Sequence, residues 1–238
     1  MNTALYFLPG TMCDARLWSP LWAALGELDL GYEFIHLSIP VEKSIDNIVQ
    51  VLAEILPKEK INLVGFSQGG YLASAFACQY PERIASLINL SNAPNKLPDK
   101  EVTTRNKISC LLEAQGYSGI TLARIKTFLD VSNHSNTLII ECIKAMDSDF
   151  GGNVLLQQLN STTLRKNLLP QLFRLNIPML FCYGDSDLLV NKAIIEQLAK
   201  TNACIKQQRF DHCGHMLPLE QPFLLAKALS FFIDSKLN

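Results

Sequence analysis

The chain has 238 residues, 48% of them hydrophobic and 18% charged, with 21 basic against 22 acidic side chains and a formal net charge of −1. That balance excludes a function built on phosphate or membrane-surface charge, and the apolar content excludes a disordered chain. No run of eighteen apolar residues occurs and the first apolar run stops at Pro9-Gly10, so the chain reads as a soluble cytoplasmic protein without membrane insertion or a nucleic-acid partner.

In chain order, short apolar runs and helical stretches take turns. Ala4–Leu8 reads as a strand, Leu17–Leu28 as a helix, Tyr32–Leu37 as a strand and Ile45–Leu56 as a helix capped by Ser44. Ile61–Gly65 reads as a strand, Gly69–Gln79 as a helix rich in small residues, and Ile84–Leu90 as a fourth strand. Then come 83 residues, from Pro94 to Asn176, without a strand. They carry helical patterns over Glu101–Gln115, Ile120–Asp130, Asn136–Met146 and Val154–Leu159, divided at Gly116, Asn133 and Gly151-Gly152. Met179–Tyr183 and Ile205–Phe210 read as the last two strands, with helices over Lys192–Lys200 and Pro218–Ile233. Strands without polar alternation, separated by helices, predict an α/β protein with a doubly wound, mostly parallel sheet of about six strands. The expected core is 1–93 and 177–238; residues 94–176 are an all-helical insertion between the fourth and fifth strands, not an independent domain.

Seven cysteines, an odd number with no C-x-x-C pair, read as thiols and not as a disulfide framework. Asp211-His212-Cys213-Gly214-His215 lacks a second cluster at zinc spacing, so no metal is expected.

The sharpest motif is Gly65-Phe66-Ser67-Gln68-Gly69, a G-x-S-x-G pattern. With 16 serines and 12 glycines in 238 residues, about 0.04 matches arise by chance. It falls where a strand turns into a helix, a place where the serine backbone is strained and the helix N-terminus offers free N–H groups to an oxyanion. A serine hydroxyl needs a base and an orienting carboxylate to act as a nucleophile. Among four histidines, His215 follows Gly214 in the loop after the last strand and is the favoured base, with His212 a minor competitor; His36 and His134 read as structural or surface residues. The acid is expected after Met179–Tyr183, where Asp185 and Asp187 both stand.

Gly65-Phe66-Ser67-Gln68-Gly69, Gly184-Asp185-Ser186-Asp187 and Gly214-His215, in that order, resemble the α/β-hydrolase superfamily over nearly the whole chain. The resemblance implies Asp187 as the acid, at the end of a G-x-x-D pattern. Leu8-Pro9-Gly10-Thr11-Met12 is similar to the family's oxyanion loop, which implies the backbone N–H groups of Thr11 and Gln68 as oxyanion donors and Trp18 as an anchor for the next helix. Pro9 stands where His is usual, which removes a side-chain brace from that loop. Longer relatives place two further strands before the first one seen here. The insertion is similar to the family's helical cap; it carries 10 Lys/Arg against 7 Asp/Glu, including Arg105, Arg124 and Lys126.

The expected activity is that of a serine esterase cleaving carboxylic esters of small to medium acyl chains, with no cofactor and no metal. The build is similar to capped esterases that release the methyl ester of a carrier-bound pimeloyl chain, so an acyl-carrier-bound substrate is a second expectation beside a small-molecule ester. Thioesterase and C–C hydrolase activity use the same residues, and a non-catalytic ligand receptor on the same fold is the alternative from another class.

Overall fold

A computed structural model describes residues 3–235. Six strands form: β1 (Thr3–Leu8), β2 (Tyr32–His36), β3 (Ile61–Phe66), β4 (Ile84–Leu90), β5 (Met179–Gly184) and β6 (Ile205–Phe210). Every neighbouring pair is parallel, in the order β2-β1-β3-β4-β5-β6. The chain steps outward from β1 to β2 and then returns to the other side of β1 with β3. The carboxyl ends of β1 and β3 therefore flank the point where the winding reverses, the place where open α/β sheets bind ligands.

Side chains of each strand alternate between two apolar layers. Leu5 and Phe7 of β1 face the layer of α1 (Ser19–Gly26) and α10 (Pro222–Asp234). Leu8 and Leu63 face the layer of α2 (Ile45–Ile55), α3 (Gln68–Gln79) and α8 (Lys192–Thr201). Ser44 caps α2 as expected, its side chain accepting the Asn47 N–H. Trp18 is wholly buried, its ring 5.0 Å from that of Phe7. The last strand departs from the apolar pattern: Lys206, Gln207, Gln208 and Arg209 of β6 are exposed. As the outer strand it presents charge where an apolar edge would invite pairing with another chain.

Between β4 and β5 lie α4 (Asp99–Gln115), α5 (Leu122–Lys126), α6 (Thr137–Thr162) and α7 (Leu169–Leu172). Two expected helices are redrawn. The helix expected over Ile120–Asp130 stops at Lys126, because the next residues turn onto the His215 loop, where the His215 N–H donates to the Phe128 carbonyl at 2.6 Å. The division expected at Gly151-Gly152 is present: α6 is two helical runs that meet at Gly151, whose φ of 68° and ψ of 179° are not helical and lie where glycine enters without steric cost. The helix expected over Pro218–Ile233 is two, α9 (Leu217–Glu220) and α10, since Pro222 cannot donate to the preceding turn and forces Gln221 out of helical geometry.

Candidate functional site

β3 ends in Gly65-Phe66 and α3 starts at Gln68, so Ser67 must reverse the chain within one residue. It does so with φ 52° and ψ −113°, outside the regions a non-glycine residue favours. The turn is tight enough that a Cβ at Gly65 would strike the Gly69 carbonyl, and one at Gly69 would strike the Leu8 carbonyl. These contacts are the steric reason for the glycines of the motif. They also press α3 against the end of β1, bringing the two loops of the winding reversal together.

The structure brings Ser67, His215 and Asp187 into one hydrogen-bonded line. His215 Nε2 lies 2.9 Å from Ser67 Oγ, and His215 Nδ1 lies 2.8 Å from Asp187 Oδ2. A carboxylate only accepts, so Nδ1 carries the proton and Nε2 is left to accept from the serine hydroxyl. The imidazole is buried between the rings of Phe66 and Phe128. Asp187 Oδ1 accepts the N–H groups of Leu189 at 2.8 Å and Val190 at 3.2 Å, which leaves its other oxygen for His215. Burial pushes the Asp187 carboxyl up, but His215 and these N–H donors outweigh it and hold it below the usual carboxylate range.

Asp185 faces elsewhere. Its carboxylate accepts the Cys213 N–H at 3.3 Å and pairs with Arg209 at 3.5 Å, tying the end of β5 to the histidine loop. His212 is exposed with φ 53°. His134 Nε2 meets the Lys126 carbonyl at 2.9 Å and closes the end of α5. His36 is half-buried at the end of β2, where burial lowers its pKa.

Thr11 and Gln68 lie across the two loops from each other, and the Thr11 hydroxyl donates to Gln68 Oε1 at 2.6 Å. Neither residue's backbone N–H has an acceptor among the described residues. Gln68 stands at the N-terminus of the twelve-residue α3, where peptide dipoles favour negative charge. Among the described residues no group of three or more His, Cys, Asp or Glu side chains could hold a metal ion.

Sequence reasoning missed the residues that join the loops. Asp130 Oδ2 accepts from Ser186 Oγ, and its Oδ1 from Ser132 Oγ, each at 2.6 Å. The Ser132 and Ser186 bonds hold its carboxyl at about 2. Glu220 accepts the Asp130 N–H at 2.7 Å and the Met216 N–H at 3.1 Å, bridging the segment before α6 to the residue after His215. Burial pushes Glu220 up. The signal available for Glu220 was an acid in the first turn of a helix, the position from which a side chain reaches back to free N–H groups.

The fold agrees with known proteins. Residues 39–112 match the family model described as alpha/beta hydrolase fold. The structure is similar to that of a thermophilic esterase from Thermogutta terrifontis, with TM-score 0.83 at 20% identity over 99% of this chain and 91% of that one. The chain has the α/β-hydrolase fold. It is 25% identical to a pimeloyl-[acyl-carrier protein] methyl ester esterase of Aeromonas hydrophila, over 96% of this chain and 94% of the relative. It is 24% identical to the monoacylglycerol lipase ABHD6 of Bos taurus over 76% of this chain, and the match spans 56% of that longer protein. Among the described residues, no helix is long and apolar enough to cross a membrane.

Proposed function

We propose that this protein is a serine hydrolase that cleaves carboxylic esters of small to medium acyl chains through an acyl-enzyme. The observation that carries the reading is the line from Ser67 Oγ to His215 at 2.9 Å and from His215 to Asp187 at 2.8 Å. His215 takes the proton of Ser67 as its oxygen attacks the ester carbonyl. Asp187 fixes the imidazole tautomer and stabilises the imidazolium that forms. The Thr11 and Gln68 N–H groups hold the negative oxygen of the tetrahedral intermediate. His215 then protonates the departing alkoxide, and in the second half it takes a proton from water, which cleaves the acyl-serine. Residues 94–176 act as a cap on the core of 1–93 and 177–238, excluding water and supplying apolar wall to the acyl chain.

The match to the Aeromonas esterase along nearly the full length of both chains favours a second reading, a methyl ester on a carrier-bound acyl chain. A panel of p-nitrophenyl esters of increasing acyl length, run beside a thioester and a carrier-protein methyl ester, separates these substrates. Ser67→Ala is expected to abolish both ester turnover and labelling by a fluorophosphonate probe. Turnover or labelling that survives the substitution sinks the assignment. Slow turnover of every ester with tight binding of one compound turns the reading to a ligand receptor.

A further inference from the structure

The loop that presents the Thr11 N–H has an unusual support. Its residues Pro9 and Gly10 offer no polar side chain, and Met12 is held at φ 55°, a left-handed conformation that a residue with a long side chain resists. What secures Met12 comes from α6. The Met12 N–H donates to Gln158 Oε1 at 3.0 Å, a buried bond joining residues 146 positions apart. Both Met12 and Gln158 are largely removed from solvent. The same helix grips the rest of the loop: the Asp14 N–H points at Met146 Sδ at 3.4 Å, and Arg16 pairs with Asp149 at 2.7 Å as well as with Asp14.

We infer that Gln158 is a positioning residue for the oxyanion donors, fixing the Thr11–Met12 peptide so that the neighbouring Thr11 N–H faces the serine. A buried N–H left without its acceptor turns toward another partner, and here the strained φ at Met12 gives it the freedom to do so. The loop would then relax at Met12, and the two donors would lose their common focus. Ground-state binding depends little on that focus, because the donors matter most when charge develops on the oxygen. The inference rests on the reading of Thr11 and Gln68 as donors around a Ser67 nucleophile.

The test uses the full chain with Gln158→Met, which keeps the reach of the side chain and removes the acceptor. Gln158→Asn, which keeps the amide but falls short of Met12, serves as a second variant. Each variant is first checked for a cooperative thermal transition. Expected in both is a fall in kcat of about tenfold or more on a p-nitrophenyl ester, with KM changed by less than about twofold. Affinity for a trifluoromethyl ketone, which forms a tetrahedral oxyanion on the serine, should fall in step with kcat, while affinity for the product acid stays unchanged. A folded variant with kcat and ketone affinity within about twofold of the parent overturns the inference. So does a loss confined to KM, which would make Gln158 a substrate contact. Turnover that survives Ser67→Ala overturns the nucleophile reading itself, and it is recognised without any Gln158 variant.

Discussion

Helices α4 and α6 belong to the same stretch between β4 and β5 and are held in opposite ways. The 17 residues of α4 include no buried side chain, and Leu111 and Cys110 face solvent. The 26-residue α6 buries Ile139, Ile140, Ile143 and Met146 in the layer that also holds α1 and α10. It also carries Gln158, Asp149 and Asp147, each bonded to a different loop or side chain outside the helix. An inserted segment is thus not uniform. One helix is part of the frame that carries the candidate site, and the other lies on the surface of that frame.

Substitutions can break this contrast. The largest expected effect is at Met146, wholly buried and in contact with the Asp14 N–H. Met146→Ala is expected to cost about 2–5 kcal/mol of stability, the range for cavities in well-packed cores, read from urea midpoints. A cost below about 1 kcal/mol would place α6 outside the core.

A smaller effect is expected where the segment meets the β5 loop. Asp130, with its carboxyl held at about 2 by Ser132 and Ser186, gains stability in the fold that is fully present above the unfolded-state value near 4. That contribution fades as pH falls toward about 2, because protonation then favours the unfolded chain. Asp130→Asn should flatten stability against pH between about 4 and 2 relative to the parent. An equally steep acid limb in the variant would mean that the Ser186 bond carries no net weight.

The smallest effect is expected on α4. Leu111→Ser, at a side chain 54% exposed, should change stability by no more than about 0.5 kcal/mol. Amides of α4 should also exchange hydrogen faster than those of α6 between Ile140 and Phe150, since fewer buried contacts must break to expose them. Equal protection of the two helices would remove the contrast.

The same division marks what the sequence made legible. Strand–helix alternation placed all six strands, because parallel strands covered on both faces are short apolar runs bounded by turns. The strained serine turn was legible because only glycine fits at Gly65 and Gly69, so the geometry is written into residue type. His215 and the Asp185/Asp187 pair were narrowed by chain order, and resemblance preferred the member of the pair that the structure sets against the imidazole. That these residues act together in catalysis is a proposal, and Ser67→Ala tests it. The inserted segment was read less well. The break at Gly151-Gly152 was the exception, legible because glycine is the residue that takes the non-helical torsions found at Gly151. Phe128 and Asp130 read as helix because their partners in the histidine loop lie more than 80 residues away. Gln158 left no signal at all: a polar residue on a helix looks solvated until its partner is known.

The bend at Gly151 divides α6 into two arms with separate duties. The first, up to Phe150, is anchored among the apolar side chains; the second carries Gln158. A Cβ at Gly151 would meet nothing within 4 Å, whereas one at the adjacent Gly152 would strike the Tyr117 side chain, which packs against the joint. The angle between the arms is set by backbone torsions at one residue that glycine adopts without strain, so the placement of the Gln158 amide against the Met12 N–H depends on residue type seven positions away.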